Sequence, residues 1–122
     1  MMQVFAVGRR ADPLNELQKN APNASRVTQI AADVSKEEDR DKILQAVQKE
    51  GMKLDYLVHN AGVLGPSKAL MDLKVEEFRQ TMAINVEGPL FLTQKLVSVL
   101  KDGSRVLHVS SGAAHKGTCL CI

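Results

Sequence analysis

Residues 54–62 read Leu-Asp-Tyr-Leu-Val-His-Asn-Ala-Gly. Leu54 to His59 has the length and composition of a strand, and Asn60-Ala61-Gly62 ends it with small and polar residues. The carboxyl end of a strand is where open α/β sheets place their ligands. Alanine and glycine there leave room for a close backbone approach.

Working outward, strand-like and helix-like stretches alternate. Upstream, Ser35-Lys36-Glu37-Glu38 fits a capping box. The helix it opens is predicted to run to about Glu50, to bury Ile43, Ala46 and Val47, and to end at Gly51. Val27 to Ala32 reads as the strand before it, closed by Asp33. Asp12-Pro13 opens a short helix with Asp as N-cap and Pro in the first turn, where its missing N–H costs nothing. Leu14 and Leu17 give that helix a narrow apolar face, and Asn20-Ala21-Pro22-Asn23 breaks it. Val4 to Val7, ended by Gly8-Arg9-Arg10, reads as the first buried strand.

Downstream, a loop at Gly62-Val63-Leu64-Gly65-Pro66 leads into a long helical segment over about residues 74–100. Its apolar positions are Phe78, Met82, Val86, Leu90, Val97 and Leu100. Asp102-Gly103-Ser104 stops it, and Arg105 to Ser110 reads as the fourth strand. The order β-α-β-α-β-α-β predicts an α/β fold: a Rossmann-like three-layer sandwich, its parallel sheet covered by helices on both faces. There is no internal repeat and no low-complexity segment. The 122 residues form one domain at most.

Composition narrows the function. Hydrophobic residues are 44% and charged residues 25%, the balance of an ordinary globular chain. The net charge is +2, from 16 Lys and Arg against 14 Asp and Glu, with the signs interspersed. That argues against a dedicated nucleic-acid or membrane surface. Cys119 and Cys121 lie too close together to cross-link distant parts of a fold. No apolar run has membrane-spanning length, and the start lacks a signal peptide's basic head, so a cytoplasmic location is expected.

Val4 to Arg10, Asp33-Val34, His59-Asn60-Ala61-Gly62, Asn85-Val86-Glu87-Gly88-Pro89 and Val109-Ser110-Ser111 occur in one order and spacing. Together they resemble the short-chain dehydrogenase/reductase family over roughly residues 4–112. Each motif alone is weak; five in register are specific. The resemblance implies an oxidoreductase acting on a small-molecule carbonyl or alcohol with a nicotinamide cofactor.

What it implies for single residues can be set beside their own chemistry. Arg9 and Arg10 follow a strand at which an acidic residue would bond ribose hydroxyls and Arg would accept a 2′-phosphate. A planar guanidinium grips phosphate bidentately, which favours NADP(H); solvation of the strand end is the plainer role. By resemblance Asp33 and Val34 flank the adenine, although Asp33 also suits a structural turn. Asn60, Ala61 and Gly62 would line the adenosine ribose. His59 stands where the family more often has Asn, and reads as a packed strand residue.

Asn85 has an argument of its own. Pro89, four residues on in a helix, has no N–H to give the carbonyl of residue 85. That carbonyl must find water or another donor, and the family's active-site Asn resembles this one. A packing kink is the alternative. The family's catalytic Ser resembles Ser111, which would hydrogen-bond the substrate oxygen. No metal site is expected.

Two departures from the family pattern stand out. Tyr56 is the only tyrosine, and residue 60 is Asn, so the Tyr-x-x-x-Lys acid/base motif does not occur in this sequence. The Gly-rich loop that cradles pyrophosphate on a helix N-terminus, with the strand before it, does not occur either. In the strand order 3-2-1-4-5 that strand is central. The sheet is then expected to close the gap, recruit another chain or swap. These features read as a truncated gene product, an alternative transcript or one piece of a larger enzyme. Such a chain is expected to be inactive alone and to self-associate. A non-catalytic nucleotide-binding relative and a plain interaction fragment are the alternatives. Cys119-Leu120-Cys121-Ile122 formally fits a prenylation tail but lacks a supporting polybasic stretch, and reads better as a chance tail.

Overall fold

The computed structural model describes residues 2–112. The tail at Cys119–Ile122 lies outside the described residues. Strands β1 (Val4–Gly8), β2 (Val27–Ala31), β3 (Leu54–His59) and β4 (Leu100–His108) alternate with helices α1 (Ala11–Asn20), α2 (Glu37–Lys49), α3 (Val75–Met82) and α4 (Gly88–Leu96). The fold is α/β with parallel strands, as the alternation of periods requires.

The strands do not form one sheet. β1 pairs in parallel with β2, from Val4 opposite Val27 to Gly8 opposite Ala31. β3 pairs in parallel with β4, from Tyr56 opposite Arg105 to His59 opposite His108. No ladder joins the two pairs. Of the three outcomes expected for the missing centre, closure does not occur: the gap between β1 and β3 stays open.

The core sits on one side of the strands, where Ile30, Ala32 and Leu57 meet Ile43 and Val47 of α2 and Leu92, Leu96 and Val99 of the last helical segment. Val47 and Leu96 are each 1% exposed. Burying such side chains contributes about 1.5–3 kcal/mol apiece, so the α2–α4 contact adds several kcal/mol to cohesion. α1 packs separately through buried Leu14, whose side chain lies against Gly8.

Several local details differ from the sequence reading. α1 begins at Ala11, placing Asp12 and Pro13 inside its first turn rather than at its cap. The capping box before α2 does not form: no side chain caps Lys36. Ser35 Oγ instead donates to Asp33 Oδ1 at 2.7 Å, and Asp39 Oδ2 accepts the Asp33 N–H at 2.8 Å. The nearby aspartate out-competes the expected partner because it is already aligned by the turn.

The long helix carries two apolar stripes. The one read from the sequence is mostly exposed, at Phe78, Val86, Leu90 and Val97. Ile84, Leu92, Leu96 and Val99 face the core instead. β4 starts five residues earlier than expected, and its register against β3 shifts between Leu54 and Tyr56, where Gly103 takes a φ of +76°. The irregularity absorbs the Asp-Gly-Ser turn signal into the strand. Among the described residues no helix is long and apolar enough to cross a membrane.

Candidate functional site

A cavity of about 960 Å³ opens between the two strand pairs. Arg9 and Arg10 after β1, Asp33 and Val34 after β2, and Asn60, Ala61 and Gly62 after β3 all line it. Three segments well separated in sequence are thus brought to one mouth. Both strand pairs end there: Val34 lies against Gly88 at the start of α4, and Val63 bonds Asn85 one turn before it.

Asp33 is the electrostatic centre of this mouth. Burial works to raise its pKa, but hydrogen bonds from the Ser35 side chain and backbone and the charges of Arg9 and Lys36 outweigh it. The net effect holds the carboxyl below the usual range. Asp33 is therefore an anion at neutral pH, with an exposed arginine near enough to feel it. No carboxylate forms an ion pair with Arg9 or Arg10 among the described residues other than through this longer-range field.

Asn85 lies in a π-helical turn, Ala83–Glu87, between α3 and α4. The Gly88 N–H bonds the Ala83 carbonyl, five residues back. A proline four residues after Asn85 forces a choice between a broken ladder and a wider one, and the chain widens. The sequence predicted a bend here, and the structure supplies it as a π-turn. The Asn85 side chain is tied to the loop after β3: its Nδ2 donates to the Val63 carbonyl at 2.8 Å and its Oδ1 accepts the Val63 N–H at 2.9 Å. This two-bond clasp fixes Gly62-Val63 against the helix, with the Asn85 amide 3.5 Å from where a Gly62 Cβ would stand.

Ser111 is exposed and lies three residues beyond the end of β4, as does Ser110 by two. Neither lines the large cavity, so the two serines and the residues of the mouth are not in one pocket. The Val109 N–H, bonded to the His59 carbonyl at 2.9 Å, carries the β3–β4 pairing one step past the strand end.

Three residues of the site escaped sequence reasoning. Arg40, 8% exposed, donates Nη1 to the Val34 carbonyl at 2.7 Å and lies 5.6 Å from the centre of the Phe91 ring, tying α2 to α4 beneath the mouth. Only its place on the inward stripe of α2, three residues before Ile43, could have signalled this. Gly88 permits the close approach of α4 to Val34, which the Gly-Pro pair hints at. His108 stacks on buried His59 at 4.8 Å between ring centres. His59 Nε2 also lies 2.8 Å from Thr93 Oγ1; since that hydroxyl donates to the Pro89 carbonyl at 2.8 Å, it accepts from His59. Burial, then the His108 ring, push the His59 pKa down, so it is a neutral packed residue, as the sequence suggested.

The short chain dehydrogenase family matches residues 1–121. This chain belongs to that family. A farnesol dehydrogenase of Aedes aegypti is 31% identical over 94% of the chain, which spans 49% of that enzyme. A crystal structure of a short-chain dehydrogenase/reductase from Brucella melitensis superposes with a TM-score of 0.90 at 22% identity. That match covers 98% of this chain and 51% of the other, and speaks to the fold alone. A short-chain dehydrogenase/reductase from Caenorhabditis elegans, solved with cofactor, gives a TM-score of 0.84 at 25% identity over 98% of this chain and 47% of its own. The chain thus spans about half the length of the relatives it matches. The family typically binds NAD(P). Among the described residues no group of three or more His, Cys, Asp or Glu could hold a metal ion.

Proposed function

We propose that this chain carries the adenosine end of an NADP(H) site, and part of the carbonyl-polarising apparatus, of a carbonyl or alcohol oxidoreductase acting on a small molecule. The observation that carries the proposal is the convergence of Arg9, Arg10, Asp33, Val34, Asn60, Ala61 and Gly62 on one cavity at the strand ends. Arg9 and Arg10 would hold the 2′-phosphate, where a guanidinium offers charge and paired donors together. Asp33 and Val34 would flank the adenine, and Asn60 to Gly62 the ribose. The mouth fits such a ligand because it sets an exposed cation beside an ionised acceptor and a stretch of accessible backbone.

The bound dinucleotide would supply the hydride. Ser111 would hydrogen-bond the substrate oxygen, and Asn85 would hold the loop after β3 and offer its carbonyl to a water. Neither can donate a proton to a developing alkoxide at a useful pKa. Tyr56, the one tyrosine of the sequence, lies within β3. The 122-residue chain is accordingly a single, partial nucleotide-binding domain that is silent by itself and works outside membranes in the cytoplasm. Its exposed apolar stripe favours self-association.

The test is binding of adenosine 2′,5′-bisphosphate against adenosine 5′-monophosphate, followed by amide shifts of residues 9, 33 and 60. Tighter binding of the bisphosphate that vanishes in Arg9→Asp is expected. Equal binding of both nucleotides, unchanged by the substitution, refutes the assignment.

A further inference from the structure

Arg40 is unfavourably placed for a charge. Its side chain is buried against α4, over the Phe91 ring, and among the described residues no carboxylate lies within ion-pair distance of it. Its buried Nε has no hydrogen-bond partner among those residues either. An apolar side chain of similar volume would join α2 to α4 without the desolvation that a buried cation suffers. Packing therefore does not account for the guanidinium. Its one hydrogen bond does, from Nη1 to the Val34 carbonyl at 2.7 Å.

That carbonyl belongs to a peptide which is itself bonded to Asp33. The Val34–Ser35 bond is trans, so its C=O and N–H point to opposite sides. Arg40 holds the carbonyl on one side. On the other, the Ser35 N–H donates to Asp33 Oδ1 at 3.0 Å, joined there by the Ser35 hydroxyl at 2.7 Å. Both Ser35 donors take the same oxygen, and Asp33 Oδ2 accepts no hydrogen bond among the described residues. The residue before Arg40 grips the other end of the same dipeptide, since Asp39 Oδ2 accepts the Asp33 N–H at 2.8 Å. A cation on a peptide carbonyl also strengthens the N–H of that peptide as a donor, because bonded dipoles polarise one another.

We propose that Arg40 is a positioning residue of the mouth: through the Val34–Ser35 peptide it orients the Asp33 carboxylate, fixing Oδ1 and leaving Oδ2 to a hydrogen-bond donor of the ligand. What that ligand is rests on the nucleotide reading of the mouth; the relay itself is a property of the free chain. The other charges that bear on Asp33 are Arg9 beyond β1 and Lys36 in the turn, with Asp39 of α2 on its N–H. Among the described residues only Arg40 bonds the Val34 carbonyl.

The experiment follows the Asp33 carboxyl carbon by NMR through an acid titration of the free 122-residue chain. Burial works to raise the Asp33 pKa, and the Ser35 bonds with the Arg9 and Lys36 charges bring it below the ordinary range. Arg40→Met keeps the side chain's reach but removes its charge and donors, and should move the midpoint up. Val99→Ala loosens the packing of the same helices without touching the relay, and should leave the midpoint in place. A second readout needs no variant: in the wild type the Ser35 amide and an Arg40 guanidinium proton should shift together at the Asp33 midpoint. Adenosine 5′-monophosphate and adenosine 2′,5′-bisphosphate should both bind Arg40→Met about tenfold more weakly, the worth of one hydrogen bond, whereas Arg9→Asp affects the bisphosphate alone. An unmoved midpoint in folded Arg40→Met, an equal move in Val99→Ala, or an Arg40 proton blind to Asp33 overturns the relay. So does undiminished binding by Arg40→Met where the wild type binds. If neither nucleotide binds the wild type, the nucleotide reading falls, and the titration alone decides the relay.

Discussion

Gly88→Ala tests how the helical segment that carries Asn85 is seated against the end of β2. A Cβ at Gly88 would stand 3.0 Å from Val34 Cγ2, 3.2 Å from the Val34 carbonyl oxygen and 3.3 Å from the Ala83 carbonyl oxygen. The two oxygens are backbone, and both are committed. The Val34 carbonyl accepts Arg40 Nη1, and the Ala83 carbonyl accepts the N–H of Gly88 itself. The valine methyl could rotate away, but the oxygens cannot move without breaking those bonds. Overpacking of this kind costs about 1–3 kcal/mol. Against it stands the better helix propensity of alanine, about 0.8–1 kcal/mol. With two backbone oxygens in the way the clash sits at the upper end of its range and wins, leaving a net destabilisation of up to about 2 kcal/mol. Urea denaturation followed by far-UV circular dichroism reads this as a lowered midpoint at constant slope. Adding Val34→Ala should restore only part of the loss, because it removes the methyl and leaves the oxygen. Wild-type or higher stability for Gly88→Ala would show that α4 slides freely on β2, and the geometric account of the mouth would fall.

Four further outcomes follow from the same structure. In a context that restores cofactor binding, Arg9→Asp should weaken NADPH about 10- to 150-fold, the worth of one charge-assisted contact, while sparing NADH; equal losses in a titration contradict it. Because the His59 pKa is lowered by the fold, the unfolded chain binds the proton more readily. Stability should be full above about pH 7 and fall as pH drops through the ordinary histidine value near 6.5; a urea midpoint that shifts equally in His59→Asn assigns the effect elsewhere. NADPH oxidation by the purified 122-residue chain against aldehydes and ketones should not exceed the blank; turnover that disappears in Ser111→Ala would show that the chain is an enzyme unaided. Sedimentation at tens of micromolar should show species larger than monomer, driven by the exposed stripe at Phe78, Val86, Leu90 and Val97; a sharp monomer boundary argues against it.

The strand positions were legible because apolar runs bounded by Gly, Asn and Asp leave few alternatives: β3 matches its expected span of Leu54 to His59, and β2 differs from its own by one residue. The residues of the mouth converge for the same reason, since each follows a strand and the strand ends lie at one cavity. What the sequence could not show was competition between partners. Ser35 could accept the N–H of Glu38 or donate to Asp33, and the turn that holds Asp33 decided for the latter. The helix after residue 74 offered two apolar stripes of similar quality, and only packing against Val47 chose the one with Leu92 and Leu96. Pro89 announced a missing donor but not the remedy, because a kink and a π-turn remove the same bond. Arg40 was invisible for a general reason: a buried guanidinium contradicts composition statistics until its carbonyl and ring partners are in place.

The residues of the mouth hang on both strand pairs, and the serines on the second alone. Arg9 and Asp33 follow β1 and β2; Ser111 follows β4, and the loop clasped by Asn85 follows β3. With no ladder across the gap, their relative placement rests on side-chain packing: α2 against α4, Arg40 over Phe91, and Val34 against Gly88. Packing contacts hold distance less strictly than a row of backbone hydrogen bonds, since each yields a few tenths of an ångström at small cost. Hydride transfer is sensitive on that scale, because reacting atoms must lie about 3–3.5 Å apart and aligned. The packing of α2 on α4 is therefore what sets the spacing of the two strand pairs across the open gap.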